Sequence, residues 1–152
     1  MKKFLAIALL ISSTSLTSAF AEAAGNIPAF KVEFSFTQAA KDQMKASNDA
    51  LEIDVYYVGV PKEGDKTPVN EDGQIELVEE SQDVGKLTSF NFGNVDFDSS
   101  LLDHTADHEV HVLINVNSSK ADDTVLDCDV FEDKISVATA APVKLSCDYS
   151  GG

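Results

Sequence analysis

Apolar and polar residues alternate from Ala29 to Phe36, with Val32, Phe34 and Phe36 in one phase and Lys31, Glu33 and Ser35 in the other. A period of two marks a strand buried on one face. The alternation returns from Leu51 to Val58, with Leu51, Ile53, Val55 and Tyr57 pointing one way, and Gly59 and Pro61 stop it. It is cleanest from Glu109 to Asn117, where Val110, Val112, Ile114 and Val116 share a phase, so this segment predicts a central strand. Between the first two strands, Thr37 offers an N-cap oxygen and Asn48 a C-terminal stop to a short helix near residues 38–47, in which Ala40 and Met44 share a face.

The remaining segments are less regular. Lys62 to Asp72 is polar and reads as an exposed loop, and Asp72-Gly73 is a turn signal before an alternating segment from Gln74 to Val78. Gly85 to Phe97 predicts one strand or a bent pair, broken at Gly93-Asn94. Val125 to Phe131 and Pro142 to Asp148 each read as a strand carrying one cysteine, with a weak apolar run from Lys134 to Ala140 between them. About seven short strands with regular turns predict an all-β fold, a two-layer antiparallel β-sandwich of immunoglobulin or transthyretin style. The lack of tryptophan and the late position of both cysteines argue against a true immunoglobulin domain. Residues 22–149 are expected to form one sandwich domain and 150–152 a flexible tail.

The N-terminus changes the context of all this. Lys2 and Lys3 precede an apolar run from Phe4 to Ile11 and a small-residue site at Ala19-Phe20-Ala21. That pattern predicts a secretory signal peptide over residues 1–21, cleaved before Glu22, and hence a periplasmic or secreted protein. The apolar run is too short to span a bilayer, and no cysteine stands at the cleavage site to carry a lipid. In an oxidising compartment the only two cysteines, Cys128 and Cys147, are expected to form a disulfide.

All 11 basic residues are lysines, and without Lys2 and Lys3 the chain carries 9 of them against 26 acids, a net charge of 9 − 26 = −17. Such a surface repels phosphate backbones and anionic lipid, so nucleic acid is excluded as a partner and a protein with a basic surface is expected. The absence of arginine removes the fork geometry that grips phosphates and makes nucleotide substrates improbable.

Candidate chemistry is concentrated in one window. His104, Asp107, His108 and His111 hold the ligand types that suit Zn, Cu or Ni; no cofactor is expected, three solvated histidines being the plainer reading, and a divalent transition metal at this window is the alternative. In one continuous strand His108 and His111 would point to opposite faces. They converge only if the strand starts after His108 and the preceding loop folds back, bringing His104 or Asp107 beside His111. The string His108-Glu109-Val110-His111 lacks the four-residue histidine spacing of a helical zinc-protease motif. Asn70-Glu71-Asp72-Gly73 and the Asp96, Asp98 pair lack the ligand ladder of a calcium loop.

One of the adjacent Tyr56 and Tyr57 must leave the core, and Tyr56 is out of phase with the apolar positions, so it can anchor a partner. Asp127, Asp129, Glu132 and Asp133 form an acidic stripe suited to a basic surface. No nucleophile elbow or phosphate-cradling loop occurs. The reading is a non-catalytic binding or accessory module of the cell envelope. The alternatives are a periplasmic metal-binding protein using the histidine window, and a small hydrolase with no recognisable motif.

Overall fold

The computed structural model describes residues 24–119 and 126–149; the expected leader at 1–21 and the expected tail at 150–152 lie outside the described residues. In chain order the strands are β1 (Ala24–Ile27), β2 (Phe30–Phe36), β3 (Leu51–Gly59), β4 (Ile75–Gly85), β5 (Ser89–Phe92), β6 (Val95–Asp98), β7 (His111–Ser118), β8 (Leu126–Cys128), β9 (Phe131–Lys134) and β10 (Val143–Tyr149). Helix α1 spans Gln38–Ser47, a 3-10 helix spans Ser99–His104 and helix α2 spans Ile135–Ala140. The strands stack as two four-stranded sheets, β5-β2-β10-β8 and β4-β3-β7-β9, with β1 and β6 forming a separate ribbon. The fold is the expected all-β sandwich.

Alternation dictates which side chains meet between the layers. Val32 and Phe34 of β2 and Val143 and Leu145 of β10 face Ile53, Val55 and Tyr57 of β3 and Val112, Ile114 and Val116 of β7, all buried in one core. Phe30 and Phe92, paired across β2 and β5, stack at 5.0 Å, and Phe30 meets the Tyr57 ring edge-on at 6.4 Å. Such ring pairs add to what area burial alone contributes.

Helix α1 carries the chain from one layer to the other and ends where its signals place it. Thr37 Oγ1 accepts from the Ala40 amide at 3.2 Å, and Asn48 adopts the left-handed conformation (φ 49°) that closes the helix. Ala40 and Met44 are its buried residues. Next to it Asp49 is fully buried, and its carboxylate accepts from the Ala50 amide and from the hydroxyls of Ser118 and Ser119. That cluster ties the start of β3 to the end of β7.

Three features depart from the expected arrangement. Strand β10 runs parallel to β2, with Val143 opposite Val32 and Cys147 opposite Phe36, whereas every other pair is antiparallel. Alternation reports the face a residue takes and carries no information on the direction of its neighbour. The strand expected from Val125 to Phe131 is divided: β8 joins one sheet and β9 the other, so the chain changes layers at Asp129-Val130. The weak apolar run after Lys134 is helix α2, in which Ala138 is buried.

Of the single strand or bent pair expected between Gly85 and Phe97, the structure has the pair, β5 and β6. Phe30 pairs with Phe92 and Ile27 with Val95, so β1 and β6 continue the β2 and β5 pairing past a bend. At that bend the Asn94 side chain accepts from the Ala29 amide at 2.8 Å. The expected disulfide joins Cys128 to Cys147, directly opposed on β8 and β10 with Cα atoms 4.0 Å apart.

Candidate functional site

The second sheet turns one face to the core and the other to solvent, and the outward phase is strongly acidic. Tyr57 is completely buried, and its hydroxyl donates to Glu80 Oε2 at 3.0 Å at the edge strand β4. Burial, then the Glu80 carboxylate, pushes the Tyr57 phenol far above its ordinary value. Tyr56, one residue earlier, takes the outer face as expected from its phase.

Around Tyr56 the register assembles the rest of the surface. Glu52, Asp54 and Tyr56 of β3 stand opposite Asp83, Ser81 and Glu79 of β4 on one side and Asn117, Asn115 and Leu113 of β7 on the other. Glu132 of β9 follows across from Leu113. A register shift between Tyr57 and Val58 brings Glu76 opposite Val58, adding a carboxylate at the Tyr56 end. A shallow cavity of about 230 Å³ opens here, lined by Tyr56, Leu113 and Asn115 with Glu71, Asp72 and Glu76.

Part of the acidic face is braced from within: Ser81 Oγ donates to Glu52 at 2.8 Å and Asn117 Nδ2 to Asp54 at 2.7 Å. Burial first, then the carboxylates of Asp54, Glu79 and Glu76, raise the Tyr56 phenol above its ordinary value, so it stays a neutral donor. A ring surrounded by carboxylates suits a lysine or arginine, which gains Coulomb attraction and a cation–π contact together. At one end the Lys134 ammonium and the His111 ring are already engaged, Lys134 by Glu109 at 2.8 Å and His111 by Asp107 at 2.8 Å.

The histidine window obeys the condition its spacing set, in part. Strand β7 begins at His111, His108 takes the left-handed conformation (φ 57°), and the loop before it folds back so that Asp107 meets His111. His104 turns elsewhere, its Nδ1 lying 3.0 Å from Asp65 Oδ2. His108 Nδ1 is 2.9 Å from the Leu102 carbonyl and 3.8 Å from Asp103. The three imidazoles thus pair with three separate carboxylates. Among the described residues no group of three or more His, Cys, Asp or Glu side chains is placed to hold a metal ion.

These pairs stitch loops. The hydrogen bond from His111 chiefly holds the Asp107 carboxyl below its usual value. At Asp65 the Thr67 hydroxyl and amide do most of this, with His104 adding to them. Lys62 Nζ and its amide donate to the carbonyls of Asp103 and His104, so the loop after β3 and the 3-10 helix are bound together.

The acidic stripe is split by the change of layer at Asp129-Val130. Glu132 joins the Tyr56 face, whereas Asp127 belongs to β8 in the other sheet, and Asp129 accepts from the Ser146 amide at 3.0 Å. Asp133 is exposed on edge strand β9, opposite Val112, and so out of phase with Glu132. Of the carboxylates that replace them around Tyr56, sequence reasoning missed Glu52 and Asp54, whose shared phase with Tyr56 on β3 was the available signal, whereas Glu76 and Glu79 are brought there by the pairing of β4. The Asn70 to Gly73 segment is a turn in which Asn70 Oδ1 accepts from the Asp72 and Gln74 amides. Asp98 Oδ1 caps the 3-10 helix through Ser100.

No family model, curated protein or solved structure matches this chain. Among the described residues no helix is long and apolar enough to cross a membrane.

Proposed function

We propose that the protein is an exported, non-catalytic binding or accessory module of the cell envelope that docks a protein with a basic surface on the outer face of the β4-β3-β7-β9 sheet. The observation that carries this reading is the Tyr56–Leu113 platform framed by Glu52, Asp54, Glu76, Glu79 and Glu132. An aromatic anchor ringed by charge is the arrangement in which electrostatics steers the encounter and the ring supplies residence time. Export is supported by the leader pattern at residues 1–21 and by the bonded cysteines.

The test is capture from envelope extracts by the wild-type chain, by Tyr56→Ala with Glu79→Lys, and by Asp127→Asn on the opposite sheet. The expected result is a basic protein released by salt, lost with the Tyr56 and Glu79 changes and retained with Asp127→Asn. Capture indifferent to salt and to the Tyr56 face refutes the reading.

A further inference from the structure

A second cavity, of about 260 Å³, lies where α1 meets the connection from β4 to β5. Phe36 and Met44 supply its apolar surface, Thr88 lies beside them, and Lys41, Lys45 and Lys86 border it. The lysines come from two separate elements, so the cluster is made by the fold and not by one charged run. We propose that this cavity binds an organic carboxylate with a short alkyl or aryl body, the body lying against Phe36 and Met44 and the carboxylate held by Lys41, Lys45 and Lys86.

Two observations carry the proposal beside the lining itself. Among the described residues no carboxylate forms an ion pair with Lys41, Lys45 or Lys86, and Lys86 Nζ donates to the Asn48 side-chain amide oxygen at 3.2 Å, so the charge at the rim is not neutralised by the protein's own acids. Lys41 and Lys45 stand four apart on one helix, a like-charge spacing that costs a few tenths of a kcal/mol and is relieved by an anion between them.

The apolar surface selects the body of the ligand. Inorganic phosphate or sulfate would gain nothing from Phe36 and Met44, whereas a carboxylate with a short chain gains from both ends of the site. A volume just under the roughly 300 Å³ at which drug-sized pockets begin suits a single ring or a chain of about eight to ten carbons. Lysine ammonium groups act as point charges, so they attract a carboxylate without imposing one bidentate orientation on it.

The full chain carries two methionines, Met1 and Met44, so carbon-13 labelling of the methionine methyls places a reporter inside the cavity, assigned with Met44→Leu. Titration uses decanoate below its micelle concentration, with decanol as the uncharged analogue of equal length. The expected result is a saturable shift of the Met44 methyl with decanoate and binding of decanol weaker by about tenfold or more. Lys41→Gln, Lys45→Gln and Lys86→Gln combined, with an amide spectrum that confirms the fold, should weaken decanoate by a similar factor. Raising salt should weaken decanoate in the wild-type chain, an independent readout that needs no variant. Equal affinity for decanol, undiminished binding by the triple variant, or no saturable shift up to about 1 mM overturns the proposal. Preferential binding to phosphatidylglycerol vesicles, with the Met44 methyl unmoved by decanoate, also overturns it and assigns the lysines to a lipid surface.

Discussion

Gly59 and Thr105 touch so closely that a Cβ on Gly59 would stand 2.2 Å from Thr105 Cγ2. Thr105 is fully buried and its hydroxyl donates to the Leu102 carbonyl at 2.9 Å, so it has no room to withdraw. The contact lies beside the Pro61 to Thr105 bridge that joins the loop after β3 to the loop before β7.

Gly59→Ala should therefore destabilise by about 1–3 kcal/mol through overpacking. Thr105→Ser removes the offending methyl and keeps the hydroxyl, so the double variant should recover most of the loss. Urea denaturation of the four chains measures the coupling, and additive effects would rule out the steric account.

The Asp49 cluster makes a second prediction. Asp49→Ala leaves the Ala50 amide and two serine hydroxyls without this acceptor in a buried site and should cost about 3 kcal/mol, well beyond a surface change. Asp49→Asn keeps one acceptor oxygen and should cost less. Equal losses in the two variants would show that the site answers to volume and not to hydrogen bonding.

Acid should loosen the loop before β7. Asp107 is more acidic folded than unfolded, chiefly because of His111, so its contribution is complete above the ordinary aspartate value of about 3.9 and is lost as pH falls through the folded value. His111→Ala should move the Asp107 titration upward, toward that ordinary value, when followed by carboxyl carbon-13 NMR. At neutral pH this partly exposed pair should be worth less than about 1 kcal/mol. An unmoved Asp107 titration would assign its acidity to the Glu109 amide and Lys134 instead.

Reduction of Cys128–Cys147, separated by 19 positions, should lower stability by about 3 kcal/mol on the loop-entropy account. Denaturant curves with and without reductant give the value. A difference below about 1 kcal/mol would mean that β8 holds its place by strand pairing alone.

The layers of the sandwich were legible because burial in a two-layer fold imposes a period of two, and β2, β3, β7 and β10 display it. Thr37 and Asn48 delimited α1 because capping is a local matter of side-chain oxygen and backbone angle. The division of the chain into β8 and β9 was not legible, since the phase of Val125 to Phe131 is the same whether one sheet or two receive it. Helix α2 was hidden by the β-branched residues Ile135, Val137 and Thr139, whose strand preference is overridden by tertiary packing of Ala138. Tyr56 was found from its phase, but its acidic surroundings depend on which strands flank β3, and only topology supplies that. The lysine-bordered cavity brings Lys86 to Lys41 and Lys45 across the fold, so no spacing along the chain announces it.

The pairing of β2 with β10 has a kinetic consequence. Ser35 and Ser146 meet across these strands at a separation of 111 residues, so β2 waits for a strand made much later before its sheet can close. Contacts of that sequence span slow folding and leave the early strands without their central neighbour. Cys147 also lies on the late strand, so oxidation waits for the same moment. In this order the pairings of β3 with β4 and β7 can form before the β2-β10 pairing that closes the facing sheet, so one layer of the sandwich becomes the surface on which the other is completed.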